Sequence, residues 1–357
     1  MEEKVLFNLL SIPAISGREE KIISFLKEEM KRLKLNYEID NLGSLWAVKK
    51  TENKNAKTVM IDAHVDEVGF NVTKIEENGF ICFEAQGGIF SKSVIFQRLK
   101  VWTSNLKKGY VGTVVTPELD LTSYESLVRV QKFQIDKMFL DVGFSSKKEA
   151  QEAGIKIGNV ITFATKPVIN KNHLISKAID NRLGTYIVYD LLDFVSRNTF
   201  DYNIVIGFSV QEEVGLRGSR VSTYKYNPDI GIVVDISPAN DYNADINGSL
   251  GKGTILRHKD GMTVYPKVIT HYLKKVIDKN NIKYQDYFSA GGTNAGIMHV
   301  TCEGKPVFPI GFLARNLHTA SSVCDLRDLE ETQKLIKALL KDLNNSKISD
   351  IKQLGRK

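Results

Sequence analysis

Cysteine is scarce in this 357-residue chain: Cys82, Cys302 and Cys324 are the only three, and no pair has CxxC spacing. That argues against a disulfide framework and a thiolate zinc site, and it points to a reducing compartment, the cytoplasm. Long hydrophobic runs are missing as well. With no stretch of about 18 apolar residues, the chain is not expected to span a membrane. The opening residues MEEKVLFNLLSIPAISGREEK lack the basic lead and small-residue cleavage site of a secretory leader. Internal repeats and low-complexity segments are also absent. So is the phosphate-cradling run GxxxxGK followed by Ser or Thr, and Gly248, Gly251 and Gly253 have turn spacing, not that of a dinucleotide fingerprint. Gly207-Phe208-Ser209-Val210 starts like a nucleophile elbow, but Gln211 stands where the second glycine belongs.

The composition that is present, 42% hydrophobic and 25% charged, can bury a sizeable core in one large or two moderate domains. The net charge of +7 comes from Lys and Arg scattered along the chain. Without a basic stripe interleaved with aromatics, it reads as a solvated surface and not as a nucleic-acid interface.

Apolar residues at helical spacing fill residues 6–33, interrupted at Pro13 and at Ser16-Gly17-Arg18-Glu19, where Ser16 and Glu19 match a capping box before a helix over 19–33. Strand patterns follow at 45–48 and 58–63, then short strand-like runs at 69–83, 94–103, 110–116 and 159–163. Strands alternate with helices again from about 178, the helices falling at 183–196, 264–279 and 329–343. This order predicts an α/β domain in two pieces, residues 1–67 and 166–357, with a β-rich insert over 68–165. The polar tail 344–357 is expected to fray.

The strands of the α/β pieces end in metal-ligand residue types. His64 and Asp66 follow the run 58–61, Gln211-Glu212-Glu213 follow 204–210, Asp235 follows 230–234, and His318 follows 307–313. In open α/β sheets the carboxyl ends of strands face the ligand crevice, so four strands can bring these residues to one site. Asp180, in SKAIDNRLG, joins them from just before a helix. One permitted partition gives His64, Asp180 and Asp235 to one divalent ion, and Asp180, His318 and one of the Glu212/Glu213 pair to a second. The remaining acid is then free for general-base work, and Asp66 can orient His64. Spacing leaves open which glutamate takes which part. His173, His258, His271 and His299 are read as structural or solvent-facing, although Arg257-His258-Lys259 forms a cationic run.

SGREEK, DAHVDEVGF, FQRLKV, DVGFSSKKEAQEAGIKIGN, SKAIDNRLG, VQEEVGLRGS, VVDISPA, GGTNAG and ARNLHTA together make the chain resemble cytosolic glutamyl aminopeptidases of the tetrahedral-aminopeptidase group, sometimes labelled endoglucanases. The resemblance implies a three-layer, mixed-sheet catalytic domain of aminopeptidase type with an inserted small β-barrel-like domain for dimerisation, and homo-oligomers that are dimers or dodecamers. It also implies two divalent metal ions, Zn or Co with Mn also suited, on His64, Asp180 as bridge, Glu213, Asp235 and His318, with Glu212 as general base and Asp66 behind His64. The activity implied is removal of N-terminal residues from short peptides, with acidic residues favoured if Arg257 meets their carboxylate. Asn294 replaces the Asp usual in the GGTD turn and is a second candidate substrate contact. Arg315-Asn316-Leu317-His318 and the TPELD loop after Val115 also depart from the group. The alternatives are a metal-dependent amidohydrolase or deacylase, and a non-catalytic assembly module. A glycosidase would need two carboxylates and no metal, which the histidines argue against.

Overall fold

Alternation in four apolar runs builds the centre of the molecule. Ile204, Ile206 and Phe208, Val59, Ile61 and Ala63, Ile230, Ile232 and Val234, and Phe308, Ile310 and Phe312 all point into one core, whereas Val205, Met60, Val233 and Val307 point into another on the opposite face. That two-residue period with both faces apolar defines strands buried on both sides. The strands, Asn203–Ser209, Thr58–His64, Ile230–Pro238 and Val307–Arg315, lie side by side in that order and run parallel. They form the middle of a nine-stranded mixed sheet whose outer strands pair antiparallel. The computed structural model describes residues 2–117, 133–242 and 248–354.

Helices Glu3–Ser11, Glu20–Arg32, Ile179–Arg197, Lys267–Lys279 and Leu326–Asp342 cover the first face. Arg217–Tyr226 and Asn294–Val300 cover the second through Tyr226, Ala295 and Met298. The result is the three-layer arrangement that the resemblance implies. A small parallel pair, Thr254–Lys259 with Tyr284–Phe288, packs Ile255 and Tyr287 against Leu313.

Between the two halves, six strands from Gly69–Ile75 to Val160–Phe163 close into a barrel. Its core stacks Phe70 edge-on against Phe83 and Phe163, with ring centroids 5.1 and 5.6 Å apart. Each such buried ring contributes about 1.5–3 kcal/mol. The barrel is pressed against the amino-terminal loop at Gly69, where a Cβ would come within 2.4 Å of Ile15 Cγ2 and 2.8 Å of the Ile161 carbonyl.

Two expectations change. The tail does not fray throughout: Asn345–Leu354 is a helix, and Ile348 and Ile351, three apart, join the main core. Ser16 and Glu19 form no capping box; Ser16 Oγ donates to Asp66 Oδ2 at 2.7 Å, while Glu19 Oε1 accepts from Gly17 N at 2.8 Å. His258, read as structural or solvent-facing, pairs with Asp286 Oδ1 at 2.7 Å and stacks on Phe288. Of the TPELD loop, residues 118–120 lie outside the described residues.

Candidate metal centre

The parallel strands deliver their terminal residues to one cleft. His64 closes its strand, Asp235 sits near the end of the adjacent one, and Glu212, Glu213 and His318 stand three or four residues past the ends of theirs. Asp180 opens the Ile179–Arg197 segment with extended dihedrals before the helix settles. His64 Nε2 lies 3.3 Å from Asp180 Oδ1, 3.7 Å from Asp235 Oδ1 and 3.9 Å from Glu212 Oε2. His318 Nε2 lies 3.4 Å from Asp180 Oδ2 and 3.1 Å from Glu213 Oε1. The two oxygens of Asp180 thus face two different histidines.

Each histidine is held from behind. His64 Nδ1 donates to the Asp66 carbonyl at 3.2 Å and lies 3.4 Å from Asp66 Oδ1. His318 Nδ1 donates to the carbonyl of Gly88, from the barrel, at 2.7 Å. With Nδ1 protonated in both, Nε2 offers its lone pair to the cleft. Asp66 also receives the backbone N–H groups of Glu212, at 3.0 Å to Oδ1, and of Glu213, at 3.1 Å to Oδ2.

Four carboxylates crowd two imidazoles, and the titration shifts follow. Burial pushes Glu212 well above the carboxylate range, and Asp235, Glu213 and Asp180 add to this against the opposing pull of His64. Burial also raises Glu213 and Asp235, each with repulsion from Asp180. For Asp180 itself, burial is outweighed by His318 and His64, which hold it well below the usual range. Among the described residues, Asp180 Oδ1 and Glu213 Oε1 are buried with no hydrogen-bond donor, although a histidine nitrogen stands within 3.3 Å of each. Buried acceptors converging without donors are costly unless a cation satisfies them. Two groups could hold one: His64, Glu212 and Asp235, and Asp180, Glu213 and His318. The donor set fits divalent metal.

The cleft in front of these atoms has a volume of about 610 Å³ and is walled by Ser237, Tyr242, Ser289, Gly291, His318 and, from the barrel, Phe90. Arg257 and Asn294 are not in that wall. Arg257 is 1% exposed and lies behind it, donating Nη2 to Ser237 Oγ at 2.6 Å. Asn294, also 1% exposed, donates Nδ2 to Asp62 Oδ2 at 3.1 Å and to Ser209 Oγ at 2.8 Å. Both lie inside the fold because each satisfies a buried polar partner there.

A sequence profile described as M42 glutamyl aminopeptidase matches residues 43–335. The chain belongs to this family. The M42 chain is accordingly a peptide hydrolase of the aminopeptidase kind. It is 35% identical to the glutamyl aminopeptidase of Lactococcus lactis subsp. cremoris, an alignment covering 96% of this chain and 97% of that one. To the lysyl aminopeptidase of Pyrococcus furiosus it is 29% identical, over 95% and 97% of the two chains. In three dimensions it matches the TET1 peptidase of Pyrococcus horikoshii with a TM-score of 0.84 at 26% identity, covering 96% and 99%.

Sequence reasoning missed the supports of the M42 site. Arg182, fully buried, donates to the Val65 carbonyl at 2.7 Å and to Glu67 Oε1 at 3.2 Å, and Lys177 Nζ reaches Glu67 Oε2 at 2.6 Å. This network ties the loop after His64 to the segment carrying Asp180. The only signal was unassigned charge, Glu67 in DAHVDE and Lys177 and Arg182 in SKAIDNR.

Proposed function

We propose that the chain is a cytoplasmic aminopeptidase acting on short peptides with two divalent metal ions, Zn or Co with Mn also suited. His64, Asp235 and Asp180 would hold one, and Asp180, Glu213 and His318 the other. The observation that carries this reading is the split of Asp180, Oδ1 toward His64 at 3.3 Å and Oδ2 toward His318 at 3.4 Å. When bound, the ions supply Lewis acidity to the scissile carbonyl and to the attacking water.

The chain's own residues do the rest. Glu212 takes the proton of the attacking water and returns it to the leaving amine, a role suited by a carboxyl that burial pushes upward. Asp66 and the Gly88 carbonyl keep the two imidazoles in the Nδ1–H tautomer. Glu212 also stands 3.9 Å from His64 Nε2, and that distance favours a second reading in which it ligates. Metal analysis of Glu212→Gln decides: two ions retained with turnover lost supports the base, one ion lost makes Glu212 a ligand. Peptidase activity that survives a chelator would reject metal dependence altogether. Hydrolysis of N-acetylated substrates in preference to free-amine peptides would favour the deacylase alternative.

An acidic first-residue preference is motivated by the similarity to a glutamyl aminopeptidase; Arg257, the side chain offered for it, stands behind the cleft wall, bonded to Ser237. Comparing kcat/KM for Glu-, Leu- and Lys-based chromogenic amides tests it, a Leu or Lys optimum being the adverse result. Residues 68–165 are proposed as a dimerisation domain between catalytic segments 1–67 and 166–357. Phe96, Val111 and Ile157 on the barrel are each about half exposed or more, which suits a buried interface between copies. The TET1 peptidase of Pyrococcus horikoshii is described as assembling into a tetrahedron or a large octahedral shell. Light scattering on the purified chain distinguishes a dimer from a dodecamer, and a monomer rejects both. Among the described residues no helix is long and apolar enough to cross a membrane.

A further inference from the structure

Beyond Ser209 the chain leaves the sheet, and the N–H groups of Gln211, Glu212 and Glu213 lose their strand partners. Three carboxylate oxygens replace them. Asp66 takes the second and third, while Glu19 Oε1 takes the first at 3.1 Å. The same Glu19 oxygen accepts from Gly17 N at 2.8 Å, and Ser16 Oγ donates to Asp66 at 2.7 Å. The turn Ser16–Glu19 therefore clasps the acid-bearing loop from a segment about 190 residues away in sequence.

Gln211 needs that clasp. Its φ is +58°, in the left-handed region that a side-chain-bearing residue enters at a cost and keeps only where the surroundings impose it. Glu19 is 5% exposed and supplies the protein acceptor of the half-buried Gln211 N–H, so removing its oxygen leaves that donor without its protein partner. Rotation of the peptide would relieve the orphan, and the next residue along is Glu212.

We propose that Glu19 is a positioning residue for Glu212, holding the strained Gln211 peptide so that the glutamate beside it keeps its reach to the attacking water. This rests on the reading of Glu212 as the base. Glu19→Ala lowers kcat by about tenfold to a hundredfold, the scale of an ångström-sized misplacement, while KM and metal content stay at parent values. Glu19→Gln keeps an acceptor oxygen of the same reach and restores kcat to near the parent. Glu19→Asp keeps the charge but shortens the reach and behaves like Ala. A general packing defect would move the melting temperature of all three and would not sort them by reach. The Gln and Asp variants carry the test if Ala does not fold. Parent kcat in Glu19→Ala, or rescue by Asp and not by Gln, overturns the proposal. Glu212→Gln runs alongside: if it stays active, the base reading has failed, whereas a dead Glu212→Gln beside a fully active Glu19→Ala overturns the clasp alone.

Discussion

The two halves of the candidate metal centre are built differently. His64 ends a central strand, its side chain is 2% exposed, and its support, Asp66, belongs to the same loop. His318 stands in a loop at φ +60°, its side chain is 28% exposed, and its support comes from the barrel. The His64 half is fixed by sheet register and burial, so it is set once the sheet folds. The His318 half draws Asp180, Glu213, His318 and the Gly88 carbonyl from four segments, the barrel among them, that meet only in the finished tertiary structure. Exchange with solvent should therefore be concentrated at the second half, and rigidity at the first.

The sharpest way to break this comparison is at the residue between the halves. Glu212→Gln is expected to lower kcat by about 10²–10⁴-fold, the usual contribution of a positioned general base, with both metals retained on elemental analysis. Next, Asp66→Asn weakens the support of His64 together with two loop amides, and a fall of about 10–100-fold in metal affinity or activity is expected at the His64 half. Steady-state rates and metal titration read it. A graded chelator titration followed by metal counting comes third: the ion at His318 should leave first, giving a plateau near one ion per chain. Simultaneous loss of both would show that the halves are not distinct.

The smallest effect is a pH dependence of the chelated protein. For His318, burial lowers the imidazole, but the facing carboxylates of Asp180 and Glu213 outweigh it and push it up to about 11 from an ordinary 6.5. A raised folded-state value means that the stabilisation is full below 6.5 and is lost as pH rises through about 11. Thermal melts of the chelated chain should therefore decline across that window, and metal uptake near neutral pH should release protons. A flat melting temperature from pH 6.5 to 10 would contradict it.

How much of this the sequence revealed follows from the same contrast. His64, Asp235 and the Glu212–Glu213 pair were legible because apolar runs end at them, and strand ends face the cleft. The alternating core and the barrel strands were legible for the same local reason. Asp180 was placed by its motif, not by periodicity. The burial of Arg257 was not legible, because the run Thr254-Ile255-Leu256 gives no hint that the next side chain is also buried. The tail helix was hidden by a polar majority around Ile348 and Ile351. Glu67 showed only as an unassigned charge, Glu19 only as a local cap candidate, and Gly88 not at all, since each acts on a residue far away in sequence and leaves no spacing to detect.

The carbonyl of Gly88 has a consequence for anyone cutting this chain apart. A barrel inserted for assembly alone could be excised and its ends rejoined, leaving a smaller enzyme. Here the excision would take with it the atom that sets the tautomer of His318, and the remaining chain would lose the orientation of one metal-facing nitrogen. Any redesign of the loop before Phe90 therefore has to keep that carbonyl where it stands, whatever is done to the barrel's outer surface.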